Sequence, residues 1–102
     1  MNIFISQPIK GRSDEEIKED RKRAISIIKK NIHNTKDIKI LDSYISKEPP
    51  IGANPNIWYL GKSILNMSKA DIIYFCKGFE EDKTCLFEYK CVCNYELTII
   101  IE

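Results

Sequence analysis

Short apolar runs alternate along this chain with longer segments whose apolar residues recur at helical spacing. The most continuous runs lie at residues 3–5, 71–76 and 97–101. A strand that is apolar on both faces has to be covered on both faces, which is typical of a parallel sheet packed between helices. The alternation therefore predicts a single α/β domain over residues 1–102, because a chain of this length has room for one core only.

Capping residues indicate where the helices begin. Ser13 and Glu16 form a capping box, in which each side chain accepts a hydrogen bond from the other residue's backbone N–H. Asn54 followed by Pro55 supplies a cap and a first-turn proline for a second helix, and Thr84 is expected to cap the third. The expected strands are residues 2–6, 37–45, 71–76 and 97–101; the expected helices run from residue 13 to a closing segment at 31–36, from 56 to 67 and from 84 to 95.

The order of the strands in the sheet follows from the handedness of their connections. Crossovers between parallel strands are right-handed, so helices on both faces require the winding direction to reverse once. We expect strand order 2-1-3-4 with the reversal between the first and third strands, the doubly wound arrangement of flavodoxin- and Rossmann-like domains. Ligands of such sheets bind beyond the carboxyl ends of the strands at the reversal point. This predicts a site between residues 6–11 and residues 77–88.

Charge and cysteine spacing argue against several classes of function. Sixteen basic and fifteen acidic residues give a net charge of +1, so nucleic acids and anionic membranes are not expected partners. No apolar stretch reaches the length of a membrane span, and residues 2–6 are too short for a secretory signal, so we expect a cytoplasmic protein with reduced cysteines. The cysteines lack zinc-site spacing, and the glycine-rich nucleotide fingerprints are absent, so neither a metal nor a cofactor is expected.

Two carboxylates near the start of the third helix are the clearest candidates for chemistry. Glu88 shares a helical face with Cys85, Cys91, Val92 and Tyr95. Burial of that face would raise the pKa of the Glu88 carboxyl group, whereas the helix N-terminus would lower it. The alternative is a Glu88 that faces solvent and interacts with the helix dipole. Asp82 lies six residues earlier, and two carboxylates at a loop–helix junction suit attack at an anomeric carbon.

Aromatic and basic side chains near the predicted site have two interpretations each. Trp58 and Tyr59 open the second helix, where they either stack on a base or pack the helix against the sheet. Lys62, Lys77 and Lys83 either meet a phosphate group or belong to the solvated surface.

Five segments of the sequence are distinctive when taken together: IFISQP at residues 3–8, GANP at 52–55, WYLGKS at 58–63, AD at 70–71 and CLFE at 85–88. With them the chain resembles the small uncharacterised branch of the nucleoside 2-deoxyribosyltransferase-like superfamily. Members of that branch are about this long and occur in bacteria and phages. The resemblance extends over nearly the whole chain and implies the same small doubly wound fold.

The resemblance also implies a chemistry, because the better-known enzymes of the superfamily cleave N-glycosidic bonds of deoxynucleosides or deoxynucleotides through a glutamate nucleophile. It implies that Glu88 is the nucleophile and that Asp82, at the separation found in the family's motif, assists it. Ser63 stands where those enzymes carry a further aspartate. Together with the side chains considered above, the expected substrate-binding residues are Ser6, Gln7, Pro8, Gly11, Trp58, Tyr59, Ser63, Lys77 and Gly78.

Three interpretations of the function stay open. The first is a nucleoside deoxyribosyltransferase or nucleotide N-glycosidase, and the second is a module that holds a nucleoside, a nucleotide or a nucleotide signal without turnover. The third is a ligand-free oligomeric protein. A homo-oligomer is compatible with all three, because the superfamily's enzymes are oligomers and apolar helix surface is available. The apolar positions considered for an interface are Ile25, Ile27, Leu60 and Ile64.

Overall fold

A computed structural model of the protein describes residues 1–32, 37–41 and 47–102. Its strands are β1 (Asn2–Ser6), β2 (Lys39–Ile40), β3 (Ile72–Phe75) and β4 (Thr98–Ile101); its helices are α1 (Asp14–Asn31), α2 (Pro55–Met67) and α3 (Lys83–Asn94), with a 3₁₀ turn at Phe79–Glu81. Much of the predicted second strand, residues 42–45, lies outside the described residues. No helix in the described parts of the chain is long and apolar enough to cross a membrane.

The four strands form one parallel sheet in the order β2-β1-β3-β4, which confirms the predicted topology. β1 is central, and its last residue, Ser6, pairs with Phe75 at the end of β3. The chain thus winds outward to β2 on one side of β1 and to β3 and β4 on the other. The reversal point lies between β1 and β3, as expected for a small Rossmann-like domain.

Two hydrophobic clusters lie on opposite faces of the sheet because side chains alternate along each strand. On one face, Ile3 and Ile5 of β1 pack with Ala24 and Ile28 of α1. On the other face the cluster combines strand residues with residues of α2, α3 and the 3₁₀ turn: Phe4, Met67, Ile73, Phe75, Phe79, Cys85 and Val92. Helices therefore cover both faces, and the continuous apolar runs are explained by burial on both sides.

The helix starts agree with the predicted caps at two of three positions. Ser13 and Glu16 make the complete capping box of α1, and the Asn54 side chain accepts a hydrogen bond from the Ile57 N–H with Pro55 in the first turn of α2. The prediction that Thr84 caps the third helix is wrong.

The third helix begins at Lys83, and its cap is Asp82, two residues before Thr84. Asp82 is extended, with φ −103° and ψ 123°, and its Oδ1 accepts a hydrogen bond from the Cys85 N–H at 3.0 Å. The 3₁₀ turn before it sets this direction of the backbone. Asp82 is consequently both the cap of α3 and a residue of the predicted site.

Candidate functional site

A cleft of about 1010 Å³ opens beyond the carboxyl ends of β1 and β3, at the predicted position. The segment after β1 forms one wall, α2 forms a second, and the segment from Gly78 into α3 forms the third. Its lining residues are Phe4, Ile5, Ser6, Gln7, Pro8, Ile9, Lys10, Arg12, Asn56, Tyr59, Leu60, Ser63, Gly78, Glu81, Asp82, Lys83, Thr84 and Glu88.

Glu88 is the buried carboxylate of this cleft, with 4% of its surface exposed. The Ser6 hydroxyl donates a hydrogen bond to Glu88 Oε1 at 3.1 Å. Glu88 Oε2 is buried and has no hydrogen-bond partner among the residues that the structure describes. One oxygen is therefore held in place, whereas the other is desolvated without compensation, which is unusual for a buried carboxylate.

Burial raises the pKa of Glu88 to about 7. The hydrogen bond from Ser6 opposes this shift because it favours the ionised form, and the nearby charge of Asp82 adds to the shift. A carboxyl group with such a pKa exchanges its proton near neutral pH, as a general acid or base does, and only its ionised form is a nucleophile.

Helical spacing explains why Glu88 points inward. Cys85 and Val92 lie three residues before it and four residues after it, and all three are the buried residues of α3. The alternative of a solvent-facing Glu88 is thus wrong. Two other residues of the predicted face do not share this burial: Cys91 is half-buried and Tyr95 is exposed.

Ser6 meets Glu88 because of the pleat of β1. Phe4 packs in the cluster on the α3 side of the sheet, and Ser6, two residues later, faces the same side. A substrate-binding role was expected for Ser6, yet in the structure its hydroxyl is engaged with Glu88. Strand alternation combined with the strand order is the sequence signal that pairs these two residues.

Asp82 shares the cleft with Glu88 but is engaged at one oxygen. Its Oδ1 caps α3 through the Cys85 N–H. Burial raises the pKa of the Cys85 thiol far above its usual range, so this sulfur stays protonated and is not a nucleophile near neutral pH. Of the buried groups at the start of α3, Glu88 is the one that ionises near neutral pH.

The segment after β1 is fixed to α1. Gln7 Nε2 donates to the Ile17 carbonyl oxygen at 3.0 Å, so the amide that was expected to bind substrate ties the segment down. Gln7 and Pro8 still line the cleft, whereas Gly11, with φ +78°, lies in a turn and is not among the lining residues. This wall of the cleft is therefore preorganised by the fold.

Helix α2 contributes Tyr59 and Ser63, two of the expected substrate-binding residues, to the lining of the cleft. Trp58 is not among the lining residues; its ring meets Tyr59 edge-on at 5.2 Å and lies under Lys62 Nζ at 5.3 Å. Asn56 and Leu60 also line the cleft. They were not predicted, although they follow from helical spacing, lying three residues before Tyr59 and three before Ser63 respectively.

Lys77 does not line the large cleft but a neighbouring cavity of about 450 Å³. Its backbone N–H donates to Glu102 Oε2 at 2.9 Å. Gly78 and Arg12 border both spaces. Within the described residues, no three His, Cys, Asp or Glu side chains come together in a way that could hold a metal ion.

Three basic side chains at the cleft, Lys10, Arg12 and Lys83, complement its carboxylates. Lys83 was considered from the sequence, but Lys10 and Arg12 were not. Both lie in the segment between β1 and α1, where a sequence pattern gives no indication of which side chains turn toward the sheet edge.

Comparisons of the chain with protein-family models, with curated proteins and with solved structures gave no match.

Proposed function

We propose that this protein binds a nucleoside or nucleotide in the cleft and cleaves its N-glycosidic bond through Glu88. Glu88 Oε2 attacks the anomeric carbon, C1′, and forms a C–O bond. The C1′–N bond breaks, and its electron pair leaves on the nitrogen of the base, which takes up a proton from solvent. Water or a second base then attacks C1′ and loses a proton to solvent, and the C1′–O bond to Glu88 breaks with release of the carboxylate.

The observation that supports this proposal is the state of the Glu88 carboxylate. It is buried at the cleft, one oxygen accepts from Ser6, and the other has no partner among the described residues. A structural carboxylate with such burial is expected to be paired at both oxygens, because an unpaired buried oxygen costs free energy. The cost is understandable if the second oxygen is kept for the reacting carbon.

The other cleft residues have roles that fit the same reaction. Ser6 keeps the Glu88 carboxylate oriented, and Asp82 has a second oxygen, not used by the helix cap, that suits a sugar hydroxyl. Tyr59 offers an aromatic face for a base. The resemblance to nucleoside 2-deoxyribosyltransferase-like proteins supports the substrate class.

The proposal is tested by base release from a panel of deoxynucleosides and their 5′-monophosphates, followed by chromatography of the free base. We expect release by the native chain and a loss of at least about a thousandfold in Glu88→Gln, because the nucleophile is removed while the shape is kept. Glu19→Gln, at an exposed position of α1, is the matched control and should keep full activity. Absence of base release from the whole panel would contradict the proposed reaction.

Binding without turnover is the second candidate, and Ser63 favours it. Ser63 lines the cleft at the position where the resemblance expects an aspartate, so one catalytic carboxylate of the related enzymes is missing. Under this alternative, nucleotides raise the melting temperature, by an amount equivalent to about 2.7 kcal/mol at a hundred times the Kd, yet no base is released. If no nucleoside or nucleotide changes the melting temperature, both candidates fail.

We further propose that the protein is a homo-oligomer, with α2 at the interface. The positions considered from the sequence are partly covered by the chain itself: Ile25, Ile27 and Ile64 pack against the two core clusters, and Leu60 lines the cleft. Ile57 and Leu65 of α2 are instead exposed, at 68% and 53% of their surface.

A further inference from the structure

Strand β4 forms one edge of the sheet and has a free side. It pairs with β3, and no further strand lies against it in the described parts of the chain. Soluble proteins protect the edge strands of their sheets with a charged residue, a proline or a bulge, because a bare edge pairs with other strands. Thr98–Ile101 contains neither a charge nor a proline, and its continuous register with β3 leaves no bulge. The edge at β4 therefore lacks all three protections.

The opposite edge of the sheet differs. The described β2 has only two residues, and the first of them, Lys39, is charged and exposed. Shortness and a lysine are both features that discourage pairing at an edge. β4 is longer and apolar, and its Ile101 has 52% of its surface exposed. The contrast points to β4 as the edge at which another strand is accommodated.

The pairing of β4 with β3 fixes which backbone groups face the free side. The Glu102 N–H donates to the Phe75 carbonyl oxygen at 3.0 Å, and Phe75 lies opposite Ile101 in the register. In a parallel pair this pattern engages alternate residues of the strand, so the backbone of Ile100 faces β3. The N–H and C=O groups of Ile99 and Ile101 consequently point away from β3, toward the free side.

We infer that β4 pairs with β4 of a second copy of this chain, antiparallel and about a twofold axis. Ile99 then lies opposite Ile101 of the partner subunit, and each such pair exchanges both of its N–H···O=C bonds. This register uses every outward-facing group of the two strands. Pairing Ile99 with itself would instead bring Ile101 opposite Leu97, whose N–H already donates to the Val92 carbonyl oxygen.

Charge supports a second copy as the occupant of this edge. A twofold axis brings identical strands together, so a charged strand would repel itself, whereas the residues of β4 are uncharged. The neighbouring Glu102 is neutralised within its own chain, because its carboxylate is paired with Arg23 at 3.0 Å and accepts from the Tyr74 hydroxyl at 2.9 Å. In the inferred register Glu102 also meets an uncharged residue, Thr98 of the partner subunit.

Apolar side chains gain contact in the same arrangement. Ile99 packs against the core cluster on the α3 side of the sheet, and Ile101 lies on the same face because side chains alternate along the strand. Cross-strand pairs of β-branched side chains stabilise a sheet. One strand from each copy nevertheless buries less area than a standard interface of about 1,600 Å². We therefore expect a dimer that forms reversibly and depends on concentration.

The interface is separate from α2 and from the cleft. Because the paired strands run in opposite directions, the carboxyl ends of the two sheets face opposite ways, and both clefts stay open to solvent. The inference goes beyond the proposed reaction and does not depend on it, since Glu88 takes no part in the pairing.

Amide hydrogen exchange of the ¹⁵N-labelled full chain, followed by NMR at about 50 μM and about 1 mM, tests the inference. The Ile99 and Ile101 N–H groups should exchange at least about threefold more slowly at the higher concentration, because pairing gives them acceptors. The Ile100 N–H faces β3 and should be protected at both concentrations. Sedimentation under the same conditions gives the fraction of dimer.

Two substitutions separate this edge from α2. Ile101→Lys charges the edge at a half-exposed position, so the exchange of the Ile99 N–H should become fast at both concentrations. Ile57→Lys, the same change at an exposed position of α2, is the matched control and should leave the exchange of Ile99 as in the native chain. Should Ile101→Lys fail to fold, Ile101→Pro decides the matter, because the proline removes only an outward-facing N–H and should also prevent pairing.

Equally fast exchange of Ile99 and Ile101 at both concentrations in the native chain would overturn the inference. Slow exchange of these groups in a chain that sedimentation shows to be monomeric would overturn it as well. A dimer that persists in Ile101→Lys but is lost in Ile57→Lys would assign the association to α2 alone. Base release per chain should be the same in Ile101→Lys as in the native chain, so failure of the pairing leaves the proposed reaction standing, and failure of the reaction leaves the pairing.

Discussion

At the scale of single residues, Glu88 carries two conflicting requirements. The fold buries it, which favours the neutral acid, whereas the proposed attack on carbon needs the carboxylate. Ser6 moderates the conflict by donating to Oε1. The inward direction of Glu88 was one of two alternatives in the sequence, because helical spacing gives a face but not which face is buried.

The burial of Glu88 should make the free energy of unfolding depend on pH. The folded chain binds the Glu88 proton up to about pH 7, whereas the unfolded chain releases it near 4.5. Between these values the folded state holds more protons, so stability falls as the pH rises, by roughly 3 kcal/mol on account of this group. In Glu88→Gln this position does not titrate. The free energy of unfolding of the variant, relative to that of the native chain, should therefore increase as the pH rises from 4.5 to 8. Urea unfolding at the two pH values measures this, and an equal difference at both would contradict the raised pKa.

Removing the Ser6 hydroxyl should move the pH dependence of activity. The donor favours the ionised form of Glu88, so Ser6→Ala raises the pKa of Glu88 further above its usual range. The rising limb of kcat/KM, expected near pH 7 in the native chain, should therefore shift to higher pH. Ser26→Ala, at an exposed position of α1, is the control. An unshifted profile in Ser6→Ala would show that the hydrogen bond does not govern the ionisation.

At the scale of elements, the helix caps show which helix starts a sequence predicts and which it does not. The capping box of α1 and the Asn54–Pro55 start of α2 are local patterns, and both were confirmed. The start of α3 was misplaced because both Asp82 and Thr84 are good caps. Which of the two residues caps α3 depends on the direction of the backbone at the end of the 3₁₀ turn, and a local sequence pattern does not specify that direction.

Asp82 should therefore affect both the helix and the neighbouring carboxyl group, and two substitutions separate the effects. Asp82→Asn keeps a cap oxygen but removes the charge, so stability should change little while the pKa of Glu88 falls. Asp82→Ala also loses the cap and should cost about 1 kcal/mol. Urea unfolding gives the first quantity, and carboxyl ¹³C titration gives the second. A pKa of Glu88 that is the same in all three chains would rule out the electrostatic coupling.

At the scale of the whole molecule, the strand order followed from general rules on parallel sheets and was confirmed, and a cleft lies where the same rules place a ligand site. The composition of the cleft wall was less accessible. Arg12 lines the cleft and pairs with Asp20, which lies eight residues later in the sequence on α1. Such contacts depend on the assembled layers and leave no periodic signal.

Apolar side chains of α1 and α2 differ in burial, which predicts different effects when they are replaced by alanine. Ile28 is fully buried on α1, so Ile28→Ala should cost about 2–5 kcal/mol at any protein concentration. Ile57 is largely exposed on α2, so Ile57→Ala should cost less than about 0.5 kcal/mol within one chain. If α2 lies at an interface, Ile57→Ala instead weakens association, which sedimentation at several concentrations detects. A concentration-independent loss as large as that of Ile28→Ala would contradict the described packing.

The central claim is that Glu88 attacks the sugar, and covalent trapping tests it most directly. A 2′-fluoro nucleotide slows breakdown of a glycosyl-enzyme, because the electronegative fluorine disfavours the oxocarbenium-like transition state. Intact-protein mass spectrometry, followed by peptide mapping, should show one added sugar phosphate on Glu88 in the native chain and none in Glu88→Gln. An unmodified native chain that still releases base, or an adduct on another residue, would contradict the claim.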